Sequence, residues 1–395
     1  MRELILVLAV VVGAAATMLG PLLAIVLIGW SFLGWDADGK AIAGTTSIVL
    51  GIAAIGMGMG LALIWAGWRA LHLAEARPFR LGRWWVWLVT LGAVLLVGQG
   101  LMLAGLDVAL PLFQVAAAAL PPFLFLSMAL DAAGGTPADL TQGRALGSLA
   151  WGGLVGAGLS LLLELGLVAA GLAVMAAGIR LFDPARAIAL WRGLQDAALA
   201  GVTPDARQLI GVVPWPLLTV GVLGLLGMAG PLVEELLKAG AVPVVVAAGG
   251  RPGRLSGFLL GAAAGAGFAI VEGVLNGAPA LGLGALWAGL MIFRGAAAAM
   301  HCLASGLMGL GWQMFLVERR RLAGIGLGLL AFGLHSAWNT SVGIIGLNSL
   351  WTTESVGAAA LARIGVSSVL ALFLMFLCMI VVAGLALIPM RLGER

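Results

Sequence analysis

Chemistry-bearing side chains stand where the chain is otherwise apolar. The segment Pro231-Leu-Val-Glu-Glu-Leu-Leu-Lys238 places two adjacent carboxylates and an ammonium between hydrophobic runs, and Lys238 is one of only two lysines, with Lys40. Further on come Glu272, Arg294, His301 and His335, again inside or at the rim of apolar segments. Such groups are expensive at membrane depth and by default mark function. Their spacing is regular: Glu234 and Lys238, Phe268 and Glu272, His301 and Ser305, and His335 and Asn339 are each four residues apart, and Arg294 and His301 are seven apart. On a helix each spacing sends two side chains to one stripe.

This set suits hydrolysis. A carboxylate near a second charge can take a proton from water, and Glu234 is the choice for that role, with Glu235 and Lys238 setting its charge state. Histidine ligates a metal or transfers a proton. Asn339, one turn past His335, can offer its amide to an oxyanion. Two arrangements use these residues. In one, Glu272, His301 and His335 form the two-histidine, one-carboxylate set of a catalytic zinc site. In the other no metal is used: His301 shares the water, and His335 and Asn339 hold the oxyanion. The chain lacks both His-Glu-x-x-His and Gly-x-Ser-x-Gly, and Ser305 shares a helix with His301 rather than facing it. Phe268, Arg294 and Ser305 are read as supporting residues.

The elements that must position these groups are membrane helices. Only 10% of the 395 residues are charged and 62% are hydrophobic, against about a quarter charged in soluble domains. The fold class is therefore all-α, a polytopic helical bundle in a lipid bilayer, and the net charge of +4 calls for no nucleic acid. Apolar segments of spanning or near-spanning length run over 4–33, 44–68, 84–106, 108–130, 147–175, 211–229, 232–248, 256–276, 287–313, 323–346 and 364–389. Arginines concentrate in the connections 69–83, 180–207, 251–254 and 319–321 and in the tail, which positive-inside placement assigns to the cytoplasm. Pro231 and 277–286 then fall on the outer side. The count leaves one segment too many between 83 and 180. Because of Pro121-Pro122, 108–130 is read as re-entrant or broken, giving about ten transmembrane helices with both termini cytoplasmic. We divide the chain into a frame (1–210, with an interfacial helix near 184–205 opened by Asp183-Pro184), a catalytic core (211–346) and a closing helix with its tail (347–395).

Four stretches resemble one family. Pro231–Lys238 resembles the Glu-Glu-x-x-Lys motif of the PrsW intramembrane proteases, relatives of the CAAX prenyl endopeptidases and bacteriocin-processing membrane enzymes. Gly267-Phe-Ala-Ile-Val-Glu-Gly273 is similar to their Phe-x-x-x-Glu-Asn, Arg294 with His301-Cys-Leu-Ala-Ser305 to the third motif, and His335-Ser-Ala-Trp-Asn339 to the fourth. The asparagine after the second-motif glutamate is Gly273 here, and Asn276, one turn on, is the stand-in. The resemblance covers about 231–340. It implies a multi-pass endopeptidase of the bacterial cytoplasmic membrane that cleaves a membrane-protein substrate, in some relatives an anti-sigma factor, near the outer face. It leaves zinc or no metal open. The alternatives are a proton-coupled secondary transporter and a non-catalytic scaffold.

Overall fold

The computed structural model describes residues 2–33, 39–72, 77–106, 109–185, Ile188, Trp191, Arg192, Gln195, 221–351 and 358–394. Twelve helices carry the argument: α1 (Arg2–Leu33), α2 (Gly39–Leu71), α3 (Trp84–Leu103), α4 (Leu110–Ala132), α5 (Gln142–Ala150), α6 (Ala157–Phe182), α7 (Gly230–Lys238), α8 (Ala241–Ala247), α9 (Arg254–Gly277), α10 (Trp287–Leu316), α11 (Arg321–Trp351) and α12 (Ala358–Gly393). Wide π turns join α5 to α6 (Trp151–Gly156) and precede α7 (Val222–Ala229), and a 3₁₀ segment, Ala278–Leu286, joins α9 to α10. Among the described residues nine helical stretches are long and apolar enough to cross a membrane, and β pairing is limited to a Pro78–Thr141 bridge. The fold is an all-α, polytopic membrane bundle.

Two compact units make up the chain. The first takes in Met1–Leu159, Glu234–His335 and Leu377–Arg395; the second is Ser160–Val233 with Ser336–Phe376. Neither boundary set coincides with the divisions at 210 and 346 drawn from sequence. Within the second unit Asn348 Nδ2 donates to Ser367 Oγ at 3.2 Å, and Gly227 lies against the Thr340 side chain. Most of the expected interfacial helix at 184–205, and residues 211–220, lie outside the described residues.

In the first unit α9 is the central member, with its residues from Ser256 to Ile270 all buried. Its Gly257, Gly261 and Gly265 form a small-residue stripe every four residues, which lets a second helix approach backbone to backbone. A Cβ at Gly261 would collide with the Ser305 carbonyl, and one at Gly265 with that of His301. The stripe thus sets the register in which α10 presents His301 and Ser305.

Two expectations about breaks need correction. Helix α4 is one continuous 23-residue helix with Pro121 and Pro122 inside it, not a broken piece. Both prolines are buried, and Gly295 of α10 leaves room for the Pro121 ring; packing of this kind lets membrane helices tolerate proline. Pro231, expected in an outer connection between two spans, sits instead in helical backbone running from the π turn through Lys238. Proline lacks an N–H and crowds the preceding turn, and the wider π turn ends just before it. The chain breaks later, at Ala239–Gly240, between α7 and the seven-residue α8.

The connections of the first unit sort to two ends. At one, Gln142 N–H donates to Arg77 O at 2.7 Å and Phe79 N–H to Leu140 O at 3.3 Å. There too Gly253 N–H and Ser256 Oγ donate to Asp139 at 2.7 and 2.5 Å. Arg254 makes a two-pronged pair with Glu318, both contacts 2.7 Å. At the other end Gln99 accepts from Ala288 N–H at 3.0 Å and donates to Gly284 O at 3.4 Å, and the 3₁₀ segment there carries no charge. The connection 133–141 therefore joins the arginine-bearing end. Helices α3 and α4 form a hairpin that leaves and returns there, with no re-entrant piece.

Candidate active site

Residues of all four motifs, from Glu234 to His335, meet in the first unit. From α7, Lys238 Nζ lies 2.8 Å from Glu235 Oε1, 3.3 Å from Glu234 Oε2 and 2.8 Å from His301 Nδ1. It also stands 4.3 Å above the Phe268 ring, a cation–π contact that strengthens when dry. Its side chain is fully buried, so these partners are what make a charge tolerable there. Gly156, at the end of the π turn, makes the space: a Cβ there would stand 3.1 Å from Lys238 Cα. Trp151 Nε1 donates to Leu237 O at 2.9 Å and takes up a backbone acceptor near the break after Lys238. Sequence reasoning missed this α5–α6 contribution; the Gly152-Gly153-x-x-Gly156 pattern is the signal that could have found it, and π turns recur at functional sites.

The two adjacent glutamates do different work. Glu235 is wholly buried and both of its oxygens are engaged, Oε1 by Lys238 and by His335 Nδ1 at 2.8 Å, Oε2 by Ser305 Oγ at 3.0 Å. Glu234 keeps 8% of its surface exposed, with Oε2 3.6 Å from His335 Nε2. A carboxylate only accepts, so His335 carries a proton on the Nδ1 that faces Glu235. Its Nε2 is buried without a hydrogen-bond partner among the described residues.

His301 is held between Lys238 and Glu272. Its Nε2 is 2.5 Å from Glu272 Oε2, an ion-pair distance without the alignment of a hydrogen bond, as Glu272 Oε2 has no hydrogen-bond partner among the described residues. Arg294 reaches Glu272 Oε1 at 3.2 Å, and Asn276 Nδ2 donates to that same oxygen at 3.0 Å. Asn276 thus supplies the bond that Gly273 cannot. The imidazoles of His301 and His335 meet edge to face, 4.8 Å between centroids.

Of the residues singled out from sequence, Glu234, Glu235, Lys238, Phe268, Glu272, Arg294, His301, Ser305 and His335 fall in this one connected cluster. Asn339 lies one turn beyond His335 on α11, in the second unit. His72, the third histidine of the chain, lies apart from the cluster, exposed and against the Trp68 ring.

The donor set fits a metal. Ligand atoms of Glu234, His301 and His335 all lie within 4.8 Å of one another; Glu272, placed in the expected ligand set, contacts His301 but is not in that group. The orphaned His335 Nε2, its ring anchored through Nδ1 by a carboxylate, has the arrangement of a metal-ligating histidine. Three carboxylates (Glu234, Glu235, Glu272) against Lys238 and Arg294 leave a formal charge of −1, so the cluster can take up a cation or a proton.

A family model for the PrsW family intramembrane metalloproteases matches residues 142–383, which include every residue of the cluster. No curated protein and no solved structure matches the chain. The match spans more than half of the chain, and with the cluster at its centre the chain belongs to the PrsW family of intramembrane metalloproteases, an intramembrane endopeptidase acting on membrane proteins within the bilayer.

Proposed function

We propose that Glu234 takes the proton from the attacking water when this protease cleaves its substrate. The supporting observation is the asymmetry of the pair: Glu235 has both oxygens engaged, whereas Glu234 keeps an exposed edge and faces the unpartnered His335 Nε2 across 3.6 Å. As water oxygen attacks the scissile carbonyl carbon, its proton passes to Glu234. It then crosses to His335 Nε2, where the imidazolium is stabilised by Glu235 at 2.8 Å. From there it reaches the leaving amine nitrogen as the C–N bond breaks. With His335 Nε2 taking the proton in this path, Asn339 is the better choice for the oxyanion. Lys238, Arg294 and Asn276 hold charge and orientation. Glu234, His301 and His335 are also the set that would hold the family's metal, zinc by the chemistry of the donor set; in that arrangement Glu234 and His335 Nε2 would serve as ligands instead of carrying the proton, and the metal would supply Lewis-acid polarisation and a more acidic water.

Arginine distribution supports a reaction toward the outer face. Arg2, Arg69, Arg77, Arg144, Arg254 and Arg321 lie at one end of the first unit, which positive-inside placement makes cytoplasmic. Both termini go with it, since Gly393 packs against Ala133 O and Arg2 donates to Ala70 O. His335 is fourteen residues from Arg321 and Glu272 eighteen from Arg254, roughly 21 and 27 Å along their helices in a hydrocarbon core of about 30 Å. The substrate class is a single-span membrane protein cut near its outer end, an anti-sigma-factor-like protein of a bacterial cytoplasmic membrane.

The test is turnover and metal content of purified Glu234→Gln on a membrane substrate. Loss of about 10²–10⁴-fold in rate with metal content kept is the expected result; undiminished turnover sinks the assignment. Rate and metal lost together would make Glu234 a ligand instead. Membrane proteomics of cells carrying this variant should show one uncleaved single-span protein accumulating.

A further inference from the structure

A second concavity in the first unit has no part in the cluster. It encloses about 570 Å³ among α1, α2, α5, the π turn after it, and α8, a size typical of small-molecule sites. Its walls are of two kinds. Among the described residues Arg2, Arg69, Arg77 and Arg144 line it, and no carboxylate does. The remainder is largely apolar and includes Val12, Leu63 and Val155.

The dimensions fit one class of ligand. Along α1, Val12 lies ten residues from Arg2, about 15 Å at the helical rise; along α2, Leu63 lies six residues from Arg69, about 9 Å. One leaflet of hydrocarbon is about 15 Å deep, half of the bilayer core. The arginines therefore stand at headgroup level, with an apolar channel beneath them reaching toward the bilayer centre. Guanidinium forks match phosphate oxygens, and basic pockets between membrane helices take anionic headgroups. Three of the guanidiniums are already placed: Arg2 on Ala70 O at 3.3 Å, Arg144 on Asp139 O at 2.9 Å, and Arg69 5.2 Å from the Trp65 ring centroid. At Arg2 and Arg144 these contacts leave donors of the planar fork available.

We propose that this concavity is a binding site for one anionic glycerophospholipid, its phosphate held by Arg2, Arg69, Arg77 and Arg144 and an acyl chain laid along the apolar floor. A zwitterionic lipid brings an ammonium group toward four guanidiniums and is disfavoured. The occupant would pack on α8 and on Trp151, the side chain that bonds Leu237 O beside Lys238.

The experiment uses the full-length protein in detergent, with phosphatidylglycerol and phosphatidylcholine added in equal amounts and the retained lipid measured by native mass spectrometry. Wild-type protein should keep phosphatidylglycerol in preference, and raised salt should erode the preference. Arg69→Gln with Arg77→Gln should lower retention about tenfold or more. Ala66→Phe, which fills the apolar part with the arginines intact, should abolish retention in a protein that elutes as one species. That variant decides the matter even if the arginine pair fails to fold. Equal retention of both lipids by wild type overturns the proposal, as does phosphatidylglycerol retention unchanged by Ala66→Phe. A photo-cross-linker at Ala66 that captures a substrate transmembrane peptide, with no lipid retained, overturns it in favour of a substrate groove.

Discussion

Two charge networks occupy the first unit at different depths and are satisfied differently. At the arginine-bearing end Asp139 has both oxygens taken, by Gly253 N–H and Ser256 Oγ, and Glu318 has both taken by Arg254 with Gln313 adding a third bond. Some 20 Å or more deeper along the helices, the motif cluster contains more charge but leaves His335 Nε2, Glu272 Oε2 and Arg294 Nε without hydrogen-bond partners among the described residues. Buried polar atoms are normally paired, and each exception calls for an explanation. The first network joins connections to one another; the second is open toward something absent from the protein alone, a water, a cation or a substrate. Charge in an apolar run therefore does not by itself identify the working site. Several incompletely satisfied ionisable groups meeting in one place do.

The sharpest way to break that contrast is inside the cluster. Glu235→Ala removes the acceptor shared by Lys238, His335 and Ser305 and leaves a buried ammonium short of a partner, which typically costs about 3–5 kcal/mol. Thermal unfolding in detergent should show a large drop beside the loss of turnover, whereas Glu234→Gln should lose turnover with far less loss of stability. Equal destabilisation by the two would erase the division of labour between them. Next comes the helix crossing that presents the histidines. Gly261→Val places a branched side chain against the Ser305 carbonyl and should destabilise by about 1–3 kcal/mol, the usual cost of overpacking, with turnover falling because His301 and Ser305 move together. Asp139→Ala sets the contrast from the other side. It removes charge-assisted bonds worth about 1.5–3 kcal/mol each at most, so unfolding should come earlier while per-molecule turnover of the folded enzyme stays at the wild-type value.

How much of this could be read beforehand depends on how local each feature is. The Glu234–Lys238 and His335–Asn339 spacings each lie within one helix, so helical period alone identifies their stripes, and four stripes of costly groups imply one meeting place. The Glu272–Arg294 pair joins two helices at 3.2 Å. Membership of the convergent donor group was not legible, because Glu234 rather than Glu272 joins the two histidines through the crossing of α7 with α10 and α11. Crossing geometry depends on small residues such as Gly156 and Gly265, which in one dimension look like any other glycine of a membrane helix. The break was misplaced for a related reason. Pro121 and Pro122 look like a stop, yet their neighbours accommodate them, while the helix ends at the quieter signal of Gly240 after Lys238, with Pro243 beyond.

The smallest expected effect tests whether the end network is merely structural. Glu318 is hydrogen-bonded by the Arg254 guanidinium, which with its charge holds the Glu318 carboxyl below its ordinary value of 4.5. A carboxyl whose folded value is depressed contributes stability that is present above the unfolded value and is lost as pH falls through the folded one. The unfolding midpoint should therefore hold steady down to about pH 4.5 and decline below it, and Glu318→Gln should flatten part of that decline. Glu318 is partly exposed, so the change is modest and screened by salt. Cleavage rate at neutral pH should not respond to this substitution, since nothing in the pair reaches the motif cluster. A matching loss of turnover in Glu318→Gln would mean that the two networks are coupled through α10, which carries His301 and ends two residues before Glu318, and the separation drawn between them would fail.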